Sequence, residues 1–206
     1  MDPAPRRLPR HRIIDNFLPD DLHGRLLAFA LASIERFSPT RVGPPEGEGV
    51  DKEVRRSWSA KGGLGALKQE FLAAVDRQAD EIRESVGVPP FPLLDHEVEL
   101  AAHRDGCFYK PHIDTFAGPS RSASASDRVL TLVYYFHRQP RVFQGGELAL
   151  YPFSGADPEL LEARDNRLVA FASFARHEVR PIACPGDAWE DARFAVNCWF
   201  LRKRAS

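Results

Sequence analysis

Two residues that could bind a metal ion, His112 and Asp114, lie two positions apart at the end of the stretch Gly106–Asp114. Side chains on an extended strand point to the same face at every second position, so the imidazole and the carboxylate are predicted to project together. Ile113, between them, is predicted to turn the other way into apolar packing. The stretch therefore predicts a two-ligand clamp, although a pair with this spacing is often a solvated turn when nothing accompanies it.

A third ligand must come from elsewhere, and His177 is the best candidate because it is far enough along the chain to lie on a different strand. Two histidines and one carboxylate on one side of an ion leave its other positions open. This is the arrangement that holds non-heme Fe(II) for oxygen chemistry. Zinc is the alternative metal.

Arg193 is a lone cation that opens an otherwise apolar segment running to Phe200. Arginine stays charged in proteins, so inside a barrel it needs an anion, and its planar guanidinium suits a carboxylate. The residue therefore predicts a site for an anionic ligand near the metal.

Together these segments resemble the 2-oxoglutarate- and Fe(II)-dependent dioxygenases, specifically their prolyl-4-hydroxylase-like branch, over most of the chain. Three motifs in the family's order carry the resemblance: Gly-x-x-Tyr-x-x-His-x-Asp (Gly106, Tyr109, His112, Asp114), His-x-Val-x-Pro (His177, Val179, Pro181) and an arginine, an aromatic residue and a later tryptophan (Arg193, Phe194, Trp199). A Gly-Gly-Glu-Leu segment, residues 145–148, also matches the family, and a tight hairpin explains its glycines without a catalytic role.

The resemblance implies that His112, Asp114 and His177 hold iron and that no other residue is catalytic. It implies 2-oxoglutarate and O2 as cosubstrates, with ascorbate as a candidate reductant. Arg193 is expected to pair with the C5 carboxylate of 2-oxoglutarate and Tyr135 to help hold it. The remaining candidates are His103 and Tyr109 for cosubstrate binding, and Asn197 and Trp199 for the substrate.

Two features depart from the family pattern. Arg193 follows His177 by sixteen positions, whereas nine or ten are usual, and we expect a longer hairpin over residues 184–192 to absorb the difference. Arg180 then becomes a rival for the carboxylate, but alternation from His177 places it on the opposite face. His103 stands where related enzymes often carry tyrosine, and it is either a ligand contact or a polar residue at a strand end.

Composition sets the outer limits. The chain has 206 residues, 43% of them hydrophobic, and a net charge of −1, which suits a single domain over residues 13–206 after a flexible basic tail, 1–12. The charge gives no reason to expect nucleic acid as a partner. The three cysteines have no CxxC spacing, which argues against disulfides and structural zinc. Without an apolar run of membrane-spanning length or a secretion signal, we expect a cytoplasmic protein with no membrane partner.

The elements that must position these residues are two helices followed by strands. Helical spacing predicts one helix from Pro19 and a second over residues 64–86. Residues 38–56 are predicted to be a loop at the rim of the site, and residues 115–127 a loop that is a candidate lid. Short strands are predicted around residues 98–102, 128–136, 147–150, 167–172, 177–182 and 193–201.

This order predicts an α+β, mainly β fold: a double-stranded β-helix (jelly-roll, cupin-like) core buttressed by two N-terminal helices. The predicted function is a hydroxylase of a prolyl or similar residue in a peptide or protein. Two alternatives stay open: a hydroxylase of a free amino acid or small metabolite, and a cupin-type metal- or ligand-binding protein without oxidative activity.

Overall fold

The computed structural model describes residues 7–41, 51–116, 124–155 and 157–204. The described helices are α1 (Asp20–Ala32), α2 (Lys68–Asp76) and α3 (Ala79–Ser85). The described strands are β1 (His11–Asp15), β2 (Phe37–Pro39), β3 (Arg55–Arg56), β4 (Trp58–Ala60), β5 (Leu93–His103), β6 (Phe108–His112), β7 (Ser126–Phe136), β8 (Gln144–Gly145), β9 (Leu148–Leu150), β10 (Glu159–Leu161), β11 (Arg167–Ala172), β12 (His177–Val179), β13 (Ile182–Ala183) and β14 (Arg193–Lys203). No helix in these ranges is long and apolar enough to cross a membrane.

The strands form two main antiparallel sheets. The major sheet has the order β1-β11-β7-β14-β5-β4-β2 and the minor sheet β10-β9-β12-β6-β3, while β13 pairs with β8. Side chains from both main sheets line one cavity, so the sheets face each other across it. The predicted mainly β jelly-roll core is therefore confirmed.

Alternation along the strands of the major sheet separates an outer core from the cavity. In β14, Phe194, Val196 and Cys198 belong to the outer core, whereas Arg193, Asn197 and Trp199 line the cavity. The same rule separates Tyr134, which packs outward, from Tyr135, which lines the cavity, as predicted. One face of the sheet thus holds the fold together and the other presents the chemistry.

The helices cover the outer face of the major sheet. Leu26 of α1, Phe71 of α2 and Ile82 of α3 are each no more than 1% exposed and join one apolar cluster with the outward residues of the sheet. Burying a side chain of this size stabilises a fold by roughly 1.5–3 kcal/mol. The helix predicted from Pro19 is confirmed, beginning at Asp20.

The prediction of one helix over residues 64–86, and hence of two N-terminal helices in all, is wrong. The segment begins with a short 3-10 turn and then forms α2 and α3, which are separated at Arg77 and Gln78. The Gln78 N–H bonds the carbonyl of Val75, three residues back, which tightens and ends the helix. Arg77 and Gln78, the two residues of this turn, are polar and do not join the apolar cluster.

Other predicted boundaries are tested only in part. β1 begins at His11, so its first two residues overlap the predicted tail, and residues 1–6 lie outside the described residues. The predicted rim loop contains β3 and the end of β2, and residues 42–50 are not described. The predicted lid cannot be located because residues 117–123 are not described, and β7 already begins at Ser126. The tail and the single domain stay predictions.

Candidate metal and cosubstrate site

The three predicted metal ligands meet at one wall of the cavity. β12 pairs with β6 in a register that places His177 directly opposite His112. The ligand atoms of His112, Asp114 and His177 all lie within 4.8 Å of one another. The Asp114 carboxylate is 3.7 Å from Nε2 of His112 and 3.6 Å from Nε2 of His177, farther than a hydrogen bond. This group of two imidazoles and one carboxylate could hold an iron ion.

Backbone contacts fix the imidazoles for metal binding. Nδ1 of His112 lies 2.8 Å from the Lys110 carbonyl, and Nδ1 of His177 lies 2.9 Å from the Ala175 carbonyl. A carbonyl only accepts, so each Nδ1 must carry a proton, which leaves Nε2 as the atom that can offer a lone pair to a metal ion. A hydrogen bond from the ring nitrogen that faces away from the metal is typical of metal-binding histidines.

A hydrogen bond from β7 of the major sheet fixes the Asp114 carboxylate. The Thr131 hydroxyl donates to Asp114 Oδ2 at 2.8 Å and lies 2.9 Å from Ser173 Oγ. Burial opposes ionisation of Asp114, but the attraction of His177 and His112 outweighs it and lowers the pKa of this carboxyl. Burial and His177 lower the pKa of His112 to about 3. At neutral pH the cluster is therefore one carboxylate with a neutral His112, which suits a divalent cation.

Two details of the predicted clamp are wrong. β6 ends at His112, and Asp114 lies in the bend that follows, where its N–H donates to the Ser173 carbonyl at 2.9 Å. Ile113 does not enter apolar packing: it is 43% exposed and lines the cavity. The ladder stops before Asp114. The backbone hydrogen bond to Ser173, rather than strand alternation, therefore sets the direction of the carboxylate.

The deep end of the cavity holds a buried arginine without an acidic partner. Arg193 is 1% exposed and makes no ion pair among the described residues. Its Nη1 donates to the Gly146 carbonyl at 2.6 Å, while its Nε has no hydrogen-bond partner in the described part of the chain. The Tyr135 hydroxyl and His103 Nδ1, both buried, also lack partners in the same ranges. Buried polar atoms are normally paired, so three unpaired groups here mark a place where a polar ligand fits.

Comparison with known proteins agrees with this geometry. Residues 98–201 match the sequence profile of the 2OG-Fe(II) oxygenase superfamily. The chain belongs to this superfamily. The matched range contains the three metal-ligand candidates and Arg193.

Several relatives share the sequence or the fold. The chain is 34% identical, over 151 residues, to an uncharacterised PKHD-type hydroxylase of Synechocystis sp.; the aligned part is 67% of this chain but spans only about half (46%) of that relative's length. A prolyl-4-hydroxylase structure from Pseudomonas putida is 25% identical with a TM-score of 0.67, covering 95% of this chain and 94% of that one. A Trichoplax adhaerens prolyl hydroxylase, solved with a peptide fragment of hypoxia-inducible factor, shares the fold at 23% identity, with a TM-score of 0.70 and coverage of 93% and 83%.

The site around Arg193 fits the cosubstrate of the family, 2-oxoglutarate. A carboxylate can accept hydrogen bonds from a guanidinium and a phenol together. The guanidinium carbon of Arg193 lies 5.1 Å from the centre of the Tyr135 ring, so both donors belong to one subsite. Burial raises the pKa of Tyr135 to about 12, which keeps its hydroxyl protonated as a donor. Arg193, Tyr135 and His103 could therefore hold the distal carboxylate of 2-oxoglutarate.

The rival arginine lies elsewhere. Arg180 is not among the residues that line the cavity, and its Nη1 donates to Glu178 at 2.8 Å. The connection to Arg193 is also not the simple hairpin predicted: β13 pairs with β8, whereas β14 pairs with β5 and β7 of the major sheet. The connection therefore crosses from β12 in the minor sheet to β14 in the major sheet.

The glycines of the Gly-Gly-Glu-Leu segment are required by a distant strand rather than by a hairpin. A Cβ on Gly145 would lie 2.3 Å from the Pro181 carbonyl oxygen, and one on Gly146 would lie 2.6 Å from Ile182. Both residues have positive φ. The Gly146 carbonyl is the acceptor for Arg193, so this close approach also positions the guanidinium. The prediction of a local hairpin as their reason is wrong.

Gly146→Ala is expected to destabilise the protein by roughly 1–3 kcal/mol, because the methyl group meets Ile182 and the backbone conformation disfavours alanine. The measurement is urea unfolding. Gly155→Ala is the matched control, since a Cβ there has nothing within 4 Å, and should change stability by less than about 0.5 kcal/mol. Equal effects of the two substitutions would contradict the proposed packing role.

His103 should make the metal-free protein less stable in mild acid. Burial, with Arg193 nearby, holds the pKa of His103 well below its ordinary value of 6.5. The unfolded chain therefore takes up a proton below about pH 6.5 that the folded protein refuses, and stability falls as pH falls, by up to about 1.4 kcal/mol per pH unit. Urea unfolding at about pH 7.5 and about pH 5.5 should show a smaller loss for His103→Asn than for the wild type. The same loss in both proteins would mean that His103 is not the group responsible.

The other candidates from the sequence also line the cavity. The Tyr109 ring stacks on His112, with ring centres 3.5 Å apart, and Trp199 lies on the same strand face as Asn197. Sequence reasoning missed the cavity-lining residues Arg55, Glu97, Glu99, Arg128 and Thr131. Alternation along β5 from His103 would have placed Glu99 and Glu97 on the cavity face. Arg55 lies in the predicted rim loop, residues 38–56, but no sequence signal singled it out within that loop, because β3 has only two residues.

Proposed function

We propose that this chain is a 2-oxoglutarate- and Fe(II)-dependent hydroxylase of a prolyl or similar residue in a peptide or protein. One observation carries the proposal: a His-Asp-His group on the wall of a cavity whose deep end holds the buried guanidinium of Arg193, which has no acidic partner among the described residues. A metal-binding cupin without oxidative activity has no need of that second feature. In the overall reaction, O2 and 2-oxoglutarate convert a C–H bond to C–OH with release of succinate and CO2.

Each side chain has a defined task in this reaction. Iron with 2-oxoglutarate supplies the oxidising chemistry when both are bound. His112, Asp114 and His177 would hold the iron, while Arg193 and Tyr135 would hold the distal carboxylate of the cosubstrate, with His103 and Tyr109 beside them. The cavity walls position the carbon to be hydroxylated and limit access of water. Asn197 and Trp199, on the cavity face of β14, would contact the substrate.

The choice of a prolyl residue rests on the relatives. The Pseudomonas putida and Trichoplax adhaerens structures are prolyl hydroxylases by name, and the second holds a peptide. Hydroxylation of a free amino acid or small metabolite is the alternative within the same chemistry.

The proposal is tested by measuring succinate formation from 2-oxoglutarate with Fe(II), O2 and ascorbate as reductant, without added substrate and then with cell-extract peptides and metabolites. Mass spectrometry identifies the molecules that gain one oxygen. Iron-dependent succinate formation that is lost in His112→Ala is the expected result. A wild-type protein that neither binds 2-oxoglutarate nor forms succinate would favour the binding protein.

A further inference from the structure

The cavity has a polar wall at its outer part, formed by Arg55, Glu97, Glu99, Arg128 and Asn197 and called here the paired wall. The register of β5 and β14 sets its place. Outward from the deep end, the facing pairs are Arg193 with His103, Ala195 with Ala101, Asn197 with Glu99, and Trp199 with Glu97. Two alanines thus separate the proposed carboxylate subsite from the paired wall, whose arginine and glutamate side chains are more exposed than Arg193.

Every charge on the paired wall is already matched by its neighbour. Arg55 Nη2 donates to both carboxylate oxygens of Glu99, at 3.0 and 3.2 Å. Arg128 holds Glu97 through two donors, Nε at 2.9 Å and Nη2. The guanidinium of Arg128 also lies 3.8 Å from the centre of the Trp199 ring. The side chains of Arg55 and Arg128 are only 11% and 17% exposed, and those of their partners Glu99 and Glu97 are 21% and 41% exposed, so the Arg55–Glu99 pair is the more buried of the two.

The contrast with Arg193 shows what these pairs do. Among the described residues Arg193 has no acidic partner and can bind a carboxylate, whereas Arg55 and Arg128 already hold one each. A second carboxylate could bind either arginine only by displacing the glutamate that it already holds, which exchanges one charge-assisted contact for another and leaves that glutamate without its partner. Arg41 also lines the cavity but is exposed, so water screens its charge.

Asn197 gives the paired wall a neutral contact. Its Nδ2 donates to Glu99 Oε2 at 2.8 Å. A carboxylate accepts only, so this bond fixes the amide orientation and leaves Asn197 Oδ1 as an acceptor for a substrate N–H or O–H. An uncharged amide backbone can use such a contact without separating either ion pair.

We infer, on the basis of the proposed function, that Glu97 and Glu99 are specificity-determining residues that occupy Arg128 and Arg55 and so restrict the outer cavity to uncharged, hydrogen-bonding groups. The main chain around the hydroxylated residue would be amide-linked on both sides. A free amino acid brings an ammonium and a carboxylate for which the paired wall has no unmatched partner.

Three pools of small compounds test this with the full chain, Fe(II) and 2-oxoglutarate: the standard free amino acids, their N-acetyl derivatives with a free carboxylate, and their N-acetyl methylamides. Succinate formation above the substrate-free rate is measured for each pool. The methylamide pool should exceed the free pool on the order of tenfold, the factor that one charge-assisted hydrogen bond is worth. A methylamide pool that stimulates no more than the free pool overturns the inference.

Glu99→Gln and Glu97→Gln each keep the shape of the paired wall but remove the counter-charge of one arginine. Both should shift the preference from the methylamide pool toward the N-acetyl pool with a free carboxylate, again about tenfold. Glu162→Gln is the matched control, because Glu162 likewise accepts hydrogen bonds from arginine side chains, those of Arg141 and Arg164, but lies outside the cavity. General structural damage would lower both rates without changing their ratio. An unchanged ratio in both wall variants would refute the inference.

The substrate-free reaction separates this result from failure of the proposed function. If the wild type forms succinate without substrate and His112→Ala does not, the proposed function stands and the pools judge the paired wall alone. If the wild type neither binds 2-oxoglutarate nor forms succinate, the proposed function fails and the inference falls with it.

Discussion

Arg193→Met is expected to abolish 2-oxoglutarate binding without lowering the stability of the ligand-free protein. Loss of two charge-assisted hydrogen bonds to a carboxylate corresponds to roughly 3–6 kcal/mol, or about 10²–10⁴ in affinity. The substitution leaves the Gly146 carbonyl without its donor, at a cost of about 1–3 kcal/mol. It also removes a buried cation that has no counter-ion among the described residues, and relief of that desolvation is worth several kcal/mol. The gain from relieving desolvation is larger than the cost of the unsatisfied carbonyl, so the free energy of unfolding should be equal to that of the wild type or higher.

Calorimetric titration of 2-oxoglutarate into the anaerobic, iron-loaded protein measures the loss of binding. Urea unfolding measures the stability of the ligand-free protein. Arg180→Met is the matched control, since Arg180 is the other arginine near the distal histidine and pairs with Glu178 outside the cavity. It should leave 2-oxoglutarate binding unchanged. Loss of binding in Arg180→Met with binding retained in Arg193→Met would reverse the assignment.

The metal group was predictable because its evidence is local or comes from motif order. His112 and Asp114 lie in one motif, and the resemblance supplied His177. The structure then adds what no motif states, which is that His177 lies directly opposite His112 across a strand pair. The error at Ile113 has a physical source: alternation holds only within a ladder, and the ladder ends at His112.

Features that depend on distant partners could not be predicted. The glycines before β9 looked like a local turn, but the atoms that exclude a Cβ belong to Pro181 and Ile182. The paired wall is similar, since its ion pairs join β3 with β5 and β5 with β7. Nothing in the sequence around Arg55 identifies Glu99 as its partner. Arg193 could be recognised in the sequence because it is a lone cation in an apolar strand. The charges of the paired wall could not, because their role depends on which residues pair in the structure.

The largest loss of turnover is expected for Asp114→Ala. It removes the carboxylate of the metal group, the only negative charge among the three ligands, and leaves two imidazoles that a divalent ion binds less well. Removing a residue that merely supports a ligand costs about 10–100-fold in metal affinity or activity, so losing the ligand itself should exceed about 100-fold. Iron affinity of the anaerobic protein and succinate formation are the two measurements.

Thr131→Val gives the graded comparison, because it keeps the shape of the side chain but removes the hydroxyl that donates to Asp114 and contacts Ser173. Its expected loss is within about 10–100-fold, smaller than that of Asp114→Ala. In Asp114→Ala the hydroxyl can still bond Ser173, so the threonine is not left unsatisfied and the variant should fold. If Asp114→Ala bound iron as tightly as Thr131→Val does, the carboxylate would not be a ligand. The ion would then be held by the histidines with some other group, and the proposed His-Asp-His metal site would be wrong.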